Sequence, residues 1–135
     1  RAFTEVMEAY LSGLEAHEGD LSGISSVASF FISRTDSEVD RRLNDLGTPE
    51  ALALRGRTAV AQGQVAYDMF QEEFSGPRWD ALVERGARVQ RPLWASTSTK
   101  NPTYPDTLYV DALIGPDTVN GSYSGARACH PPATC

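Results

Sequence analysis

The sequence predicts an α/β fold built on parallel strands. Two short apolar runs, residues 27–32 and 89–96, have strand character, the segments around them have helical periodicity, and the two kinds alternate along the chain. Such alternation indicates βαβ units with right-handed crossovers. Two complete strands can neither close a barrel nor form a full doubly wound sheet, so the chain reads as a slice of a larger α/β domain.

Taken in order, Phe3, Met7, Tyr10, Leu11 and Leu14 recur at three- and four-residue steps and form the apolar face of a first helix, with Glu5, Glu8 and Glu15 on other faces. Gly19-Asp20 and Ser22-Gly23 end it in a loop. The run Val27-Ala28-Ser29-Phe30-Phe31-Ile32 is uncharged and rich in β-branched and aromatic residues, the pattern of a strand buried on both faces. Alternation puts Ala28, Phe30 and Ile32 on a wholly apolar face, toward covering helices, and Val27, Ser29 and Phe31 on the other. Ser29 is either a core hydroxyl with a partner or a group turned toward a ligand. Arg34, at the strand's C-terminal end, favours the second.

Thr35-Asp36-Ser37-Glu38 matches a Thr-x-x-Glu capping box, so a helix is expected to start there, with Val39, Leu43 and Leu46 as its stripe and Gly47 as its stop. Thr48 as N-cap and Pro49 in the first turn begin a long helix expected over residues 49–74. Leu52, Gly56, Ala59, Gly63, Ala66 and Phe70 share one stripe of it, whose small residues permit close packing. Gly76-Pro77 breaks this helix, and Trp79, Leu82 and Val83 make a further short turn that Gly86 closes. The second strand follows. Asn101-Pro102-Thr103-Tyr104-Pro105 is a turn, residues 106–114 a short helix with Leu108, Tyr109 and Leu113 packing, and residues 117–120 the beginning of another strand. Residues 121–135 are rich in Gly, Ser, Ala and Pro without periodicity, the composition of a disordered tail.

With 135 residues, 41% hydrophobic and 22% charged, the chain can form one ordinary domain with a core. A net charge of -6 argues against nucleic acid or an anionic membrane as the main partner, while leaving room for a small anion in a local basic pocket. No transmembrane run or signal peptide is recognisable. Cys129 and Cys135 both fall in the final stretch, so the body holds no disulfide framework, thiol nucleophile or CxxC site. His17 and His130 stand alone, and no metal is expected.

Chemistry concentrates in Pro92-Leu93-Trp94-Ala95-Ser96-Thr97-Ser98-Thr99-Lys100-Asn101-Pro102, an apolar strand that turns polar at its C-terminal end. Open α/β sheets and barrels present their sites in this way. Small hydroxyls followed by a cation suit a phosphate or sugar hydroxyls, because several donors converge on one group. The plain alternative is a buried strand followed by a hydroxyl-rich loop. Lys100, the only lysine, has a second chemical reading as a Schiff-base nucleophile, which requires desolvation or a neighbouring cation. Spacing shows neither condition, and a composition that favours arginine makes the uniqueness of Lys100 weak support.

Ser26-Val27-Ala28-Ser29-Phe30-Phe31-Ile32-Ser33-Arg34, Leu54-Arg55-Gly56-Arg57 and Arg91-Pro92-Leu93-Trp94-Ala95-Ser96-Thr97-Ser98-Thr99-Lys100-Asn101-Pro102 together resemble bacterial transaldolase, in the longer-spaced form common in actinobacteria and cyanobacteria. Tyr104-Pro105-Asp106-Thr107-Leu108-Tyr109-Val110 and Pro116-Asp117-Thr118-Val119-Asn120 continue the likeness, which covers residues 1–120 and leaves 121–135 outside it. The resemblance implies a partial (β/α)8 barrel, with residues 27–32 as the sixth strand, 93–96 as the seventh and the start of an eighth near Val119. It implies a cytoplasmic transferase, free of cofactor and metal, that moves a dihydroxyacetone unit between sugar phosphates through a Schiff base in the non-oxidative pentose phosphate pathway. It further implies that Ser29 is the active-site serine and Phe31 its aromatic neighbour in the site wall. Arg34 matches the arginine that binds the sugar phosphate, and Ser96 and Lys100 match a serine and a second cation for the same group. Lys100 lies two residues further along than the arginine of the shorter form.

In the family the imine-forming lysine lies on the fourth strand in a Lys-x-Pro-Ala-Thr motif, which these 135 residues lack. The acids of the first and third strands and the asparagine of the fifth are missing too. A fragment carrying the phosphate end of the site, inactive alone, is therefore expected. After Val119-Asn120 the family continues Thr-Met-Pro, whereas Gly121 begins an unrelated segment, as a reading-frame shift or a fragment boundary would leave it. Two rivals remain at this point: another sugar-phosphate barrel, class I aldolase-like, with Lys100 as nucleophile, and a helical interaction module without chemistry. The oligomeric state is unspecified.

Overall fold

The computed structural model describes residues 2–121. The elements run α1 (Ala2–Ala16), β1 (Ser26–Phe31), α2 (Ser33–Leu46), α3 (Pro49–Leu52), α4 (Thr58–Glu73), α5 (Gly76–Glu84), β2 (Gln90–Ala95), α6 (Leu108–Leu113) and β3 (Val119–Asn120). The three strands form one sheet in the order β1-β2-β3, both pairings parallel. Ser29 lies opposite Leu93 and Phe31 opposite Ala95, while Leu93 also faces Val119. A parallel sheet in chain order with intervening helices is the α/β architecture expected, and it is consistent with part of a (β/α)8 barrel. The expected tail and both cysteines lie outside the described residues, apart from Gly121, whose N–H donates to Trp94 O at 2.9 Å.

The core lies on one side of the sheet. Phe3, Met7, Leu11 and Leu14 of α1 are buried as their spacing predicts, and the Phe3 ring meets Phe30 edge-on at 5.2 Å, with Trp94 beyond it at 6.0 Å. Helix α4 contributes Ala59, Gly63, Ala66 and Phe70. The expectation that β1 is buried on both faces is corrected. Ala28 and Ile32 are nearly inaccessible and Phe30 half-buried, whereas Val27, Ser29 and Phe31 are exposed, Val27 by 45% and Phe31 by 47%. Among the described residues helices cover only one face, so an apolar run that reads as doubly buried has one face open.

Two helix boundaries also differ. Helix α2 starts at Ser33, with Ile32 as N-cap and no side-chain cap, so the Thr35 capping box does not form. The reason lies in the sheet: Ile32 N–H and Ser33 N–H donate to Ala95 O and Ser96 O at 3.0 and 3.1 Å, which fixes where the chain leaves the sheet, so that the helix has already begun when Thr35 is reached. Thr35 Oγ1 is left to donate to Gln62 Oε1 at 2.6 Å. Gly47 ends α2 in the left-handed region, as expected. The single helix expected over residues 49–74 is split. Thr48 caps α3 by accepting from Ala51 N–H at 3.2 Å, but Gly56 turns left-handed at φ 72° and donates its N–H to Asp40 Oδ1 at 3.0 Å. A Cβ at this glycine would stand 2.9 Å from the Tyr104 ring, so Leu52 and Gly56 do not share a stripe with α4. Helix α5 is a nine-residue helix rather than one turn, and Trp79 within it packs edge-on against Phe74 at 4.9 Å.

Candidate functional site

The parallel strands end together, and their C-terminal ends are joined by backbone. The Ser33-to-Ser96 hydrogen bond ties the start of α2 to the residue that follows β2. Ser96 adopts φ 54°, a left-handed conformation uncommon for a residue with a Cβ. Backbone strain of this kind is characteristic of functional turns. Arg34, second in α2, folds back so that its guanidinium carbon lies 4.2 Å from the centroid of the Phe31 ring. Since Phe31 projects from the open face, Arg34 is held by a cation–π contact on the side of the sheet that carries Ser29. The structure thus gathers Ser29, Phe31 and Arg34 on one face, with Ser96 at the adjoining strand end. Ser33 Oγ, between them in the chain, is buried and has no hydrogen-bond partner among the described residues.

Lys100 stands in the loop leaving β2. It is exposed, and its ammonium donates to Ser98 Oγ at 2.8 Å. It lines a cleft of about 310 Å³ between α2 and the loop leading to α6, together with Asp36, Asp40, Arg41, Tyr104 and Tyr109. Arg34 is not part of that cleft wall. Helix α2 therefore presents two neighbourhoods, Arg34 over the open sheet face and the polar cleft beside Lys100.

The cleft holds groups whose importance the sequence did not signal. Asp36 is 2% exposed and accepts from Ala59 N–H and Tyr109 OH, both at 2.8 Å. Asp40 accepts from Gly56 N–H at 3.0 Å and Tyr104 OH at 2.6 Å. Burial first, and then the hydrogen bond to Asp40, push the Tyr104 hydroxyl up to about 12. Burial and the Asp36 carboxylate likewise push Tyr109 up. Spacing shows Asp36 and Asp40 one turn apart, but only as ordinary helix polar residues; a carboxylate within an otherwise apolar contact face is the one signal available. No group of three or more His, Cys, Asp or Glu among the described residues is placed to hold a metal ion.

The family model for Transaldolase/Fructose-6-phosphate aldolase matches residues 3–128. The chain is 56% identical over 121 residues to Transaldolase 1 of Streptomyces avermitilis, a match covering 87% of this chain and 32% of that protein. It is 61% identical over 119 residues to the transaldolase of Mycobacterium marinum, covering 85% of this chain and 32% of the relative. With the transaldolase of Thermobifida fusca the identity is 56% over 121 residues, covering 87% and 33%. The chain spans about a third of the length of these curated relatives.

Proposed function

Because the chain belongs to the transaldolase/fructose-6-phosphate aldolase family, we propose that it supplies the sugar-phosphate-binding end of a transaldolase site. The activity is transfer of a dihydroxyacetone unit between sugar phosphates in the cytoplasmic, non-oxidative pentose phosphate pathway. The observation that carries this proposal is the Arg34 guanidinium seated over Phe31, on the Ser29 side of the sheet and beside the joined strand ends.

A guanidinium binds a phosphate through two parallel N–H···O bonds, and stacking on Phe31 fixes the plane from which it donates. In this reading the Ser96 hydroxyl and the Lys100 ammonium add donors to the same phosphate, Arg34 reaching it from the sheet side of α2 and Lys100 from its cleft side. Ser29 presents a hydroxyl to the sugar chain, and Phe31 forms the apolar wall beside it. Transfer through an imine requires a deprotonated lysine to attack the donor's carbonyl carbon with loss of water, after which the carbon–carbon bond beyond the dihydroxyacetone unit breaks. The only lysine here is Lys100, and no Lys-x-Pro-Ala-Thr occurs in the 135 residues. The proposal therefore assigns the imine to a lysine outside them and leaves the chain without turnover of its own. Lys100 is solvent-exposed, without the apolar enclosure that activates a nucleophilic lysine.

Titration with inorganic phosphate tests the proposal. Replacing Arg34 by alanine should weaken binding by about 1.5–3 kcal/mol, the value of a charge-assisted hydrogen bond. Binding unaffected by Arg34→Ala would overturn the assignment. Borohydride reduction with dihydroxyacetone phosphate should leave Lys100 unlabelled, and a reduced adduct mapped to Lys100 would establish the class I aldolase-like alternative instead.

A further inference from the structure

Two carboxylates one turn apart on α2 make the same pair of contacts. Asp36 accepts a backbone N–H from Ala59 and a phenol from Tyr109, while Asp40 accepts a backbone N–H from Gly56 and a phenol from Tyr104. Gly56 and Ala59 belong to the chain around the start of α4; Tyr104 lies in the loop that leaves β2 through Lys100, and Tyr109 in α6. One face of α2 thus ties down two segments distant in sequence, one of them the Lys100 loop. A carboxylate withdrawn from water is costly unless its hydrogen bonds are made, and each oxygen of the buried Asp36 and of the half-buried Asp40 has a donor.

Among the described residues, the loop's other side-chain hydrogen bonds are local. Lys100 reaches Ser98, and Thr103 donates to Asn101 Oδ1 through both N–H and Oγ1. These shape the tip of the loop without attaching it to the body of the protein. Attachment comes through Tyr104, four residues from Lys100, whose ring occupies the space left by Gly56, where any Cβ would approach it to 2.9 Å.

We infer that Asp36 and Asp40 are positioning residues, which through Tyr109 and Tyr104 hold the Lys100 loop against the helix whose first turn carries Arg34, and so set the separation of two cations acting on one phosphate; this rests on the phosphate role proposed above. Without the latch the loop occupies its competent place only part of the time, and the apparent affinity falls by that fraction.

The test uses the full chain, inorganic phosphate as the titrant, and amide hydrogen exchange as a second readout. Tyr104→Phe removes one hydroxyl and should weaken phosphate binding about tenfold, the loss of one charge-assisted hydrogen bond. Exchange should accelerate in residues 98–105 and stay unchanged in β1. Tyr67→Phe is the matched control: it removes a tyrosine bond to Pro116 O at 3.1 Å and should leave affinity as it is. Asp40→Asn, which keeps an acceptor for Tyr104, should retain most of the affinity that Asp40→Ala loses. Unaltered affinity in Tyr104→Phe, or equal losses in Tyr104→Phe and Tyr67→Phe, overturns the latch while leaving the phosphate role of Arg34 standing. A chain that binds no phosphate, or one whose Arg34→Ala and Lys100→Ala variants both bind it as tightly as the parent, overturns that role and the latch with it.

Discussion

Alanine at Gly63 and alanine at Gly13 should have opposite effects, although both glycines lie inside helices. Gly13 is exposed in α1, and a Cβ there meets nothing within 4 Å. The substitution removes only the entropic disadvantage of glycine and should stabilise by up to about 1 kcal/mol. A Cβ at Gly63 would stand 2.8 Å from both methyl carbons of Leu113. Leu113 is 6% exposed, and its carbonyl accepts the buried Trp94 Nε1–H at 2.9 Å. Relief therefore requires a rotamer change in a filled core or displacement of α6 from α4. Overpacking costs about 1–3 kcal/mol, and with two methyl carbons at 2.8 Å in a filled core the upper part of that range, about 2–3 kcal/mol, applies; the helix-propensity gain returns about 1 kcal/mol of it. Gly63→Ala should end about 1–2 kcal/mol less stable than the parent. Urea unfolding followed by tryptophan fluorescence at low micromolar protein reads both variants, with Trp94 reporting directly on α6. Adding Leu113→Ala to Gly63→Ala should cost less than the sum of the single changes, since both act on one contact. A Gly63→Ala protein as stable as the parent would show that α4 and α6 do not meet as closely as described.

Raising the pH should loosen the fold through the tyrosines. Tyr104 titrates at 10.0 when unfolded and at about 12 when folded, so the folded state holds its proton longer. The stability from this group is complete below pH 10 and declines as pH rises from 10 toward about 12. Alkaline unfolding should follow that window, with a smaller loss in Tyr104→Phe; equal losses in both proteins would refute the assignment. Asp36→Ala leaves Tyr109 OH and Ala59 N–H buried without their acceptor and should cost about 3 kcal/mol or more in urea unfolding, against about 1.5–3 kcal/mol for Tyr109→Phe. A cost below that of Tyr109→Phe would remove Asp36 from its central place. The open sheet face, with Val27 and Phe31 nearly half exposed, should bind a hydrophobic dye and promote concentration-dependent association, which Val27→Lys reduces. A monodisperse chain that binds no dye would contradict this.

The sequence by itself determined what depends on neighbours a few residues away. Phe3, Met7, Leu11 and Leu14 share a helix face because of their spacing alone. Thr48 and Gly47 cap and stop helices through local backbone chemistry. The apolar runs that become β1 and β2 are found within a residue or so of their ends. Arg34 and Ser96 were likewise legible as residues at the ends of two strands. What joins those ends, the Ser33-to-Ser96 hydrogen bond and the seating of Arg34 on Phe31, was not.

Only tertiary structure decided that α2 begins at Ser33 without its capping box, because Ile32 N–H and Ser33 N–H pair with Ala95 O at the end of β2 and Ser96 O just after it, far along the chain, and so fix where the helix leaves the sheet. Only it broke the long helix at Gly56, where Asp40 and the Tyr104 ring favour the left-handed turn. It alone left Val27, Ser29 and Phe31 uncovered and made Asp36 a junction rather than a surface residue. Periodicity and propensity act over one or two turns of chain, whereas a buried polar group takes whatever partner the fold brings to it. For Asp36 that partner is Tyr109, 73 positions away.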